Sequence, residues 1–250
     1  MEKEFEKKSN YLTKVRPFIF NAKIYEYDIH SAGLSLMEYY KLTDKSVINE
    51  LKSMDKYKRN VLIGNMQRKD ASFKDSLSKA FCDIRKEFYD VNDLEFDDIV
   101  SVKKDAIFTT KKCNARIFDC VEFVVKNEYT SYCQLKNLEF YYNDEKLDVK
   151  GIDETSLDKH TDILSMIKSY FNKLEEFGKS NACRYMNRMF TRYKTQILPV
   201  GYYRELNSVG KFSLINSGDK YDDFWEDRKQ ELDIGYNMQN VFIPMVMLII

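Results

Sequence analysis

Two aspartates stand at the ends of segments that are typical of β-strands. Asp28 closes the run Lys23-Ile-Tyr-Glu-Tyr-Asp28, and Asp105 follows the run Ile99-Val-Ser-Val-Lys-Lys. Carboxylates suit buried strand positions poorly, because an ionised carboxylate left unpaired away from water is very costly. A divalent metal shared by the two side chains explains both, and such a metal points to phosphoryl-transfer chemistry. The alternative is that each aspartate simply caps a turn, which is common.

The composition is that of an ordered globular chain rather than a disordered or strongly charged one. The 250 residues are enough for one large domain, or for a core with an appended subdomain. Forty basic and forty acidic residues cancel, so any surface for nucleic acid must be local. Seventeen Phe and eighteen Tyr with only eight Gly and three Pro indicate an ordered globular chain.

The cysteines and the two ends of the chain bear on its location. Five cysteines without a CxxC pair, and only two histidines, argue against a structural zinc site and for reduced thiols. The charged segment 1–10 does not resemble a signal peptide, and the apolar run Val241–Ile250 is about half as long as a membrane span. We therefore predict a cytoplasmic protein, in the host cytoplasm if it is viral, with no membrane partner. The apolar run is either a buried terminal helix or a surface for a protein partner.

Hydrophobic periodicity predicts the order of the elements. Strands are predicted at 17–29, 99–103, 106–110, 117–126 and 129–142. Helices are predicted at 34–42, 44–66, 70–90, 157–177, 181–196 and 236–249, with an exposed loop at 207–223. This order predicts an α+β fold with an antiparallel sheet and a helical C-terminal part.

Four short segments occur in a recognisable order. They are Asp28-Ile-His-Ser31-Ala-Gly33-Leu-Ser35, Lys56-Tyr-Lys-Arg-Asn60-Val-Leu-Ile-Gly64, Lys103-Lys-Asp105-Ala-Ile-Phe108 and Asp148-Val-Lys150-Gly151-Ile152. The first three resemble motifs A, B and C of family B DNA polymerases, and the fourth resembles the K-G-I segment of that family. The resemblance covers about 17–153 and includes no exonuclease domain. It implies a polymerase-palm-like antiparallel sheet with short helical fingers at 1–153, and a helical thumb-like region at 154–250.

The resemblance also implies roles for individual residues. Asp28 and Asp105 are the expected catalytic residues, and together with Ile29 they form the expected site for Mg²⁺ or Mn²⁺. The expected nucleotide-binding residues are Lys56, Asn60, Gly64, Ser31 and Gly33. The expected nucleic-acid-binding residues are Lys104, Lys136, Lys150, Arg184, Arg188 and Arg192. The implied reaction is two-metal addition of a nucleotide to a 3′-hydroxyl, with nucleoside triphosphates and a nucleic acid strand as partners.

Departures from the motifs keep other functions open. Gly33 replaces the motif A tyrosine that excludes a 2′-hydroxyl, which favours a primase-like or template-independent transferase that uses ribonucleotides. Lys103 replaces the first aspartate of motif C, which favours a catalytically inactive palm-derived subunit that serves in binding or assembly. The spacing of Arg184, Arg188 and Arg192 on one helix face suits structural ion pairs as well as it suits nucleic acid.

Overall fold

A computed structural model describes residues 11–13, 18–114, 117–152, 154–207 and 235–248 of the chain. The residues divide into two compact units. The first consists of Met1–Val15 and Lys23–Glu128, and the second of Arg16–Ala22 and Tyr129–Ile250. Each unit contains antiparallel strands and helices, which confirms the predicted α+β class.

A six-stranded sheet forms the first unit. In spatial order its strands are β1 (Tyr11–Thr13), β4 (Ile99–Lys103), β5 (Ala106–Thr109), β3 (Ile24–Ile29), β7 (Val121–Tyr129) and β6 (Ile117–Phe118). β3 and β5 pair antiparallel, so that Asp28 lies opposite Ala106. β4 and β5 form a hairpin whose turn carries Lys104 and Asp105, and Lys104 has a left-handed backbone with φ of 60°. The hairpin therefore brings Asp105 beside the end of β3.

Four helices cover one face of this sheet. They are α1 (Ala32–Tyr39), α2 (Lys45–Ser53), α3 (Lys56–Lys69) and α4 (Ala71–Val91). Asp55 and Asp70 cap α3 and α4 by accepting hydrogen bonds from backbone N–H groups of the first turn. Phe88 of α4 is fully buried, with its ring 5.4 Å from that of Tyr27 and 4.3 Å from that of Phe123. Burial of each such side chain contributes about 1.5–3 kcal/mol, and this packing fixes the helices on the sheet.

A four-stranded antiparallel sheet and a long bent helix form the second unit. The strands, in spatial order, are β10 (Leu147–Lys150), β9 (Leu138–Tyr142), β8 (Ser131–Leu135) and β2 (Phe18–Ile19). α5 (Thr161–Lys194) supplies the largest share of the core, and the terminal helix α6 is made of Gly235–Asn237, the π-helical Met238–Phe242 and Ile243–Met247. Short 3₁₀ helices lie at Phe96–Asp98 in the first unit and at Glu154–His160 and Val200–Tyr203 in the second.

The long helix α5 is two helices that meet at Gly178. Gly178 has φ of 76° and ψ of 176°, a conformation that is essentially restricted to glycine. The ammonium of Lys173 lies 5.5 Å from the ring centroid of Tyr185. In a straight helix these two residues would be about 18 Å apart along the axis. The chain therefore turns back at Gly178 and forms a helical hairpin.

The structure corrects several predicted elements. The strand predicted at 17–29 is two strands in different sheets, because Asn21 adopts φ of 52° and ends β2. The helix predicted at 44–66 is two helices, α2 and α3, separated by the extended residues Met54 and Asp55. β8, β9 and β10, which the prediction assigned to the first domain, lie in the second unit. Of the loop predicted at 207–223, all but residue 207 lies outside the described residues.

The apolar C-terminal run packs mainly into its own unit. Val241, Phe242 and Met245 are buried, and the ring of Phe242 lies 4.3 Å from that of Tyr193. Ile243 and Met247 are exposed. The residues of this run that face the core therefore belong to a buried terminal helix, which is one of the two alternatives. Within the described ranges, no helix combines the length and apolar character needed to cross a membrane.

Candidate functional site

A pocket in the first unit brings together residues from the three segments that resemble motifs A, B and C. Its walls come from the end of β3, the β4–β5 turn and helices α1, α3 and α4. The predicted site residues that line it are Asp28, Ile29, Ser31, Gly33, Lys56, Asn60, Gly64, Lys104 and Asp105. Ala32, Ile63, Gln67, Leu77 and Phe81 complete the described lining. Segments that are distant in the sequence thus converge on one cavity.

Asp28 lies on the face of β3 opposite the helix-covered core. Side chains alternate along a strand, and Tyr25 and Tyr27 enter the hydrophobic core while Glu26 and Asp28 point to the other side. The side chain of Asp28 is 23% exposed, and its Oδ2 accepts a hydrogen bond of 2.9 Å from Nζ of Lys126. This ion pair raises the pKa of Lys126, which therefore stays protonated.

Lys126 serves a second carboxylate as well. Its Nζ lies 4.0 Å from Oε1 of Glu26, a side chain that is 1% exposed. Glu26 also accepts a hydrogen bond from the amide of Asn127. A charge as buried as that of Glu26 needs such partners, because desolvation of an unpaired carboxylate is costly. Lys126 thus lies within ion-pair distance of both carboxylates on this face of β3.

The position of Asp105 is set by the turn that contains it. The backbone N–H of Ile29 donates to the carbonyl of Asp105 over 3.3 Å, which ties the turn to the end of β3. From α4, the buried guanidinium of Arg85 donates to the carbonyl of Lys104. The Lys104 ammonium lies 5.0 Å from the ring centroid of Phe81, which adds a cation–π contact. Both residues of the turn are therefore held by neighbouring elements.

The carboxyl group of Asp105 is harder to ionise than an ordinary aspartate. Partial burial raises its pKa, and the negative charge of Asp28 raises it further. The positive charges of Lys104 and Lys126 act in the opposite direction. A cation bound beside this carboxylate would act in the same direction as the two lysines and favour its ionised form.

The donor set suits a magnesium ion that takes part of its coordination from a substrate. Mg²⁺ prefers oxygen ligands and is usually held by one or two carboxylates, with the remaining positions filled by phosphate and water. Asp28 and Asp105 provide two such carboxylates beside the same pocket. Among the residues that the structure describes, no group of three or more His, Cys, Asp or Glu side chains converges as a metal site.

Helix α3 presents its predicted residues to the pocket on one face. Lys56, Asn60 and Gly64 follow one another at intervals of one helical turn, and all three line the cavity. Nη2 of Arg59 donates to Oγ of Ser31 over 3.1 Å, which links α3 to the turn before α1. The position of α3 relative to Asp28 is thus fixed by a side-chain contact as well as by the core.

The remaining predicted nucleic-acid-binding residues lie in the second unit. Lys136 occupies the β8–β9 turn, where its Nζ donates to the hydroxyl of Tyr236 over 3.3 Å. Lys150 ends β10. Arg184 and Arg188 line a separate pocket on α5, and Arg192 is not among the described residues that line it. The aromatic cluster of this unit is buried and consists of Tyr129, Tyr132, Phe140, Tyr141 and Tyr142.

Three residues that shape the first pocket were not predicted from the sequence. They are Lys126, Arg85 and Gln67. Lys126 lies in β7, a strand that begins with an alternating apolar pattern. Its contact with Asp28 could be inferred only from the pairing of β7 with β3. Arg85 lies within the apolar face of α4, and a charged residue at such a position indicates a buried partner. No sequence signal singled out Gln67.

The fold and the site define an α+β protein with two antiparallel sheets and a pocket that holds paired carboxylates. The chain belongs to the family described as Bacteriophage PBS1 gene 130 protein, whose model matches residues 1–250, and this is a phage protein family. No curated protein matches the chain. The resemblance to family B DNA polymerases and the cytoplasmic location stay predictions.

Replacement of Asp105 by Asn is expected to raise the stability of the metal-free protein at pH 7. The pKa of Asp105 is higher in the folded chain than its usual value of 3.8, so the folded state binds this proton more tightly than the unfolded state does. Stability from this group is therefore present below pH 3.8 and is lost as the pH rises through the folded pKa. Urea unfolding in EDTA at pH 7 and near pH 3 measures the difference, which should be positive at pH 7 and close to zero in acid.

Asp55→Asn is the control, for which we expect the opposite change in stability at pH 7. Backbone N–H of Lys58 lowers the pKa of the Asp55 cap, so loss of this charge should reduce stability at pH 7. A less stable Asp105→Asn variant at pH 7 would mean that the Asp105 carboxylate is stabilised by its surroundings, in conflict with the direction of its pKa shift.

Proposed function

We propose that the first unit catalyses Mg²⁺-dependent transfer of a nucleotide to the 3′-hydroxyl of a nucleic acid strand. The observation that carries the proposal is the convergence of Asp28, Asp105 and Lys56 on one pocket from three separate segments. Two carboxylates and a cation beside one cavity suit a nucleoside triphosphate and the metal that accompanies it. The order of the motif-like segments in the sequence gives independent support.

In this proposal Asp28 and Asp105 hold the metal. Bound Mg²⁺ would lower the pKa of the attacking hydroxyl and neutralise charge on the triphosphate and the leaving pyrophosphate. The chain places the two carboxylates beside one pocket, where partial burial and the charge of Asp28 raise the pKa of Asp105. Lys126 neutralises Asp28 in the protein alone, so an incoming cation competes with an ammonium that is 2.9 Å from Oδ2.

Helix α3 would bind the nucleotide. The side chain of Lys56 is exposed at the pocket, where its ammonium would pair with phosphate as a mobile point charge. Asn60 lies one turn further and offers both a donor and an acceptor. A Cβ atom built on Gly64 would meet nothing within 4 Å, so this glycine leaves open space at the wall of the pocket. That space would receive the base or the sugar of the nucleotide.

Gly33 supports a second candidate, a primase-like transferase that uses ribonucleotides. Gly33 lines the same pocket, and a Cβ atom at this position would lie 3.4 Å from the side chain of Ile63. With no side chain at 33, this position carries no ring that would exclude a 2′-hydroxyl. Equal or better incorporation of NTPs than of dNTPs would favour this candidate over a DNA polymerase.

The first test is extension of a labelled primer on a template with Mg²⁺ or Mn²⁺, with dNTPs and NTPs offered separately. Asp28→Asn and Asp105→Asn should each reduce extension by more than about 100-fold, since changes outside the first ligand shell already cost 10–100-fold. Asp119→Asn is the matched control, because Asp119 is exposed and lies outside the pocket lining. Its activity should equal that of the wild type.

Two results would contradict the proposal. One is extension that survives either pocket substitution. The other is absence of product from folded protein under every condition, which would favour the alternative of an inactive palm-derived subunit.

The substitution Gly64→Ala is expected to change activity and stability in opposite directions. Alanine in a helix interior is favoured over glycine by about 0.5–1 kcal/mol, and the added methyl group meets no protein atom. We therefore expect a more stable protein that extends primers less well, with the loss mainly in KM for the nucleotide. Unfolding curves and steady-state kinetics give the two quantities. Unchanged kinetics in the stabilised variant would exclude Gly64 from nucleotide binding.

A further inference from the structure

A second pocket lies in the second unit, inside the α5 hairpin. It is an open cleft of about 430 Å³, formed by both arms of the hairpin around Gly178. Its described lining consists of Lys173, Phe177, Asn181, Arg184, Tyr185 and Arg188. We call this cavity the hairpin pocket.

The charged side chains among the described lining of the hairpin pocket are all positive. Lys173 comes from the first arm, and Arg184 and Arg188 come from the second. None of the described residues that line the pocket is acidic. Three cations around one concave site raise the local concentration of anions, and a bound anion would relieve their mutual repulsion. The whole chain has zero formal net charge, so this concentration of cations is local.

Two aromatic rings accompany these cations. The side chain of Phe177 is 59% exposed, and the Lys173 ammonium lies 5.9 Å from its ring centroid. Tyr185 is held more firmly, since Lys173 and Arg188 lie 5.5 Å and 6.0 Å from its ring centroid and Ser169 hydrogen-bonds to it. An exposed phenylalanine beside cations offers a flat apolar surface next to a site for phosphate.

We infer that the hairpin pocket binds single-stranded nucleic acid, with a base stacked on Phe177 and phosphate paired with Arg184 and Arg188. Sites for single strands combine a basic groove with aromatic rings on which unpaired bases stack. A duplex hides its base faces and is usually read by a helix that protrudes into a groove, whereas this site is concave. The inference goes beyond the proposed function and does not depend on it.

The test is fluorescence anisotropy with a labelled oligothymidylate of about 20 nucleotides, longer than the ~4–16 nucleotides that one OB fold covers. The full chain is titrated in EDTA without nucleotides, against the single strand and against its duplex with oligoadenylate. We expect the single strand to bind more tightly. Phe177→Ala should weaken binding about tenfold or more, because base stacking on one ring has an effect of that size.

Salt dependence separates the two kinds of contact. Arg184→Ala should weaken binding and lower the slope of log K against log salt by about 0.7, the value for one single-strand phosphate contact. Phe177→Ala should leave that slope unchanged, because stacking releases no counterion. Lys194→Ala is the matched control, since Lys194 is an exposed cation on the same arm outside the described lining, and it should bind nearly as well as the wild type.

Three results would overturn the inference: no binding of the single strand, equal or tighter binding of the duplex, or binding that neither Phe177→Ala nor Arg184→Ala weakens. The titration contains EDTA and no nucleotides, and the residues that it tests lie outside the Asp28–Asp105 pocket. Binding of the single strand can therefore be observed even if primer extension fails. Primer extension can likewise be observed even if the hairpin pocket does not bind the strand.

Discussion

The proximity of two carboxylates at one end of a sheet is the constraint on which the first unit depends. Asp28 ends β3 and Asp105 lies in the adjoining hairpin turn, where partial burial and the charge of Asp28 both raise the pKa of Asp105. Like charges in a partly buried site oppose folding unless cations compensate. Lys126 supplies that compensation from β7 by direct contact with Asp28. The arrangement is one that a divalent cation would stabilise, and this makes the pocket a candidate for chemistry.

The surrounding elements hold this unfavourable pair in place. Arg85 has 3% of its surface exposed and donates to the carbonyl of Lys104, so movement of the turn would break a hydrogen bond of a buried guanidinium. Loss of one partner of such a contact costs about 1–3 kcal/mol or more. Phe88 packs α4 against Tyr27 of β3, which connects the helix that carries Arg85 to the strand that carries Asp28. Stability elsewhere in the unit thus offsets the cost of the site.

Local patterns in the sequence predicted much of this arrangement, and long-range pairing decided the rest. The helical spacing of the apolar residues of α4 predicted that helix, and the strand-like runs around Asp28 and Asp105 predicted β3, β4 and β5. The break between β2 and β3 escaped prediction, because the apolar pattern continues across it while Asn21 turns the backbone. Lys126 escaped prediction for another reason, since its contact with Asp28 requires the neighbouring positions of β3 and β7. The convergence of the motif-like segments followed from a resemblance rather than from periodicity.

The site formed by Asp28 and Asp105 is tested most directly by Mn²⁺ binding to the full chain, measured by electron paramagnetic resonance with a non-hydrolysable nucleoside triphosphate present. We expect bound Mn²⁺ in the wild type, weaker binding in both Asp28→Asn and Asp105→Asn, and unchanged binding in the control Asp119→Asn. Lys126→Met should bind Mn²⁺ more tightly than the wild type, because the competing ammonium is absent. No bound Mn²⁺, or the same binding in the wild type and both pocket variants, would contradict the claim that these two carboxylates form a metal site.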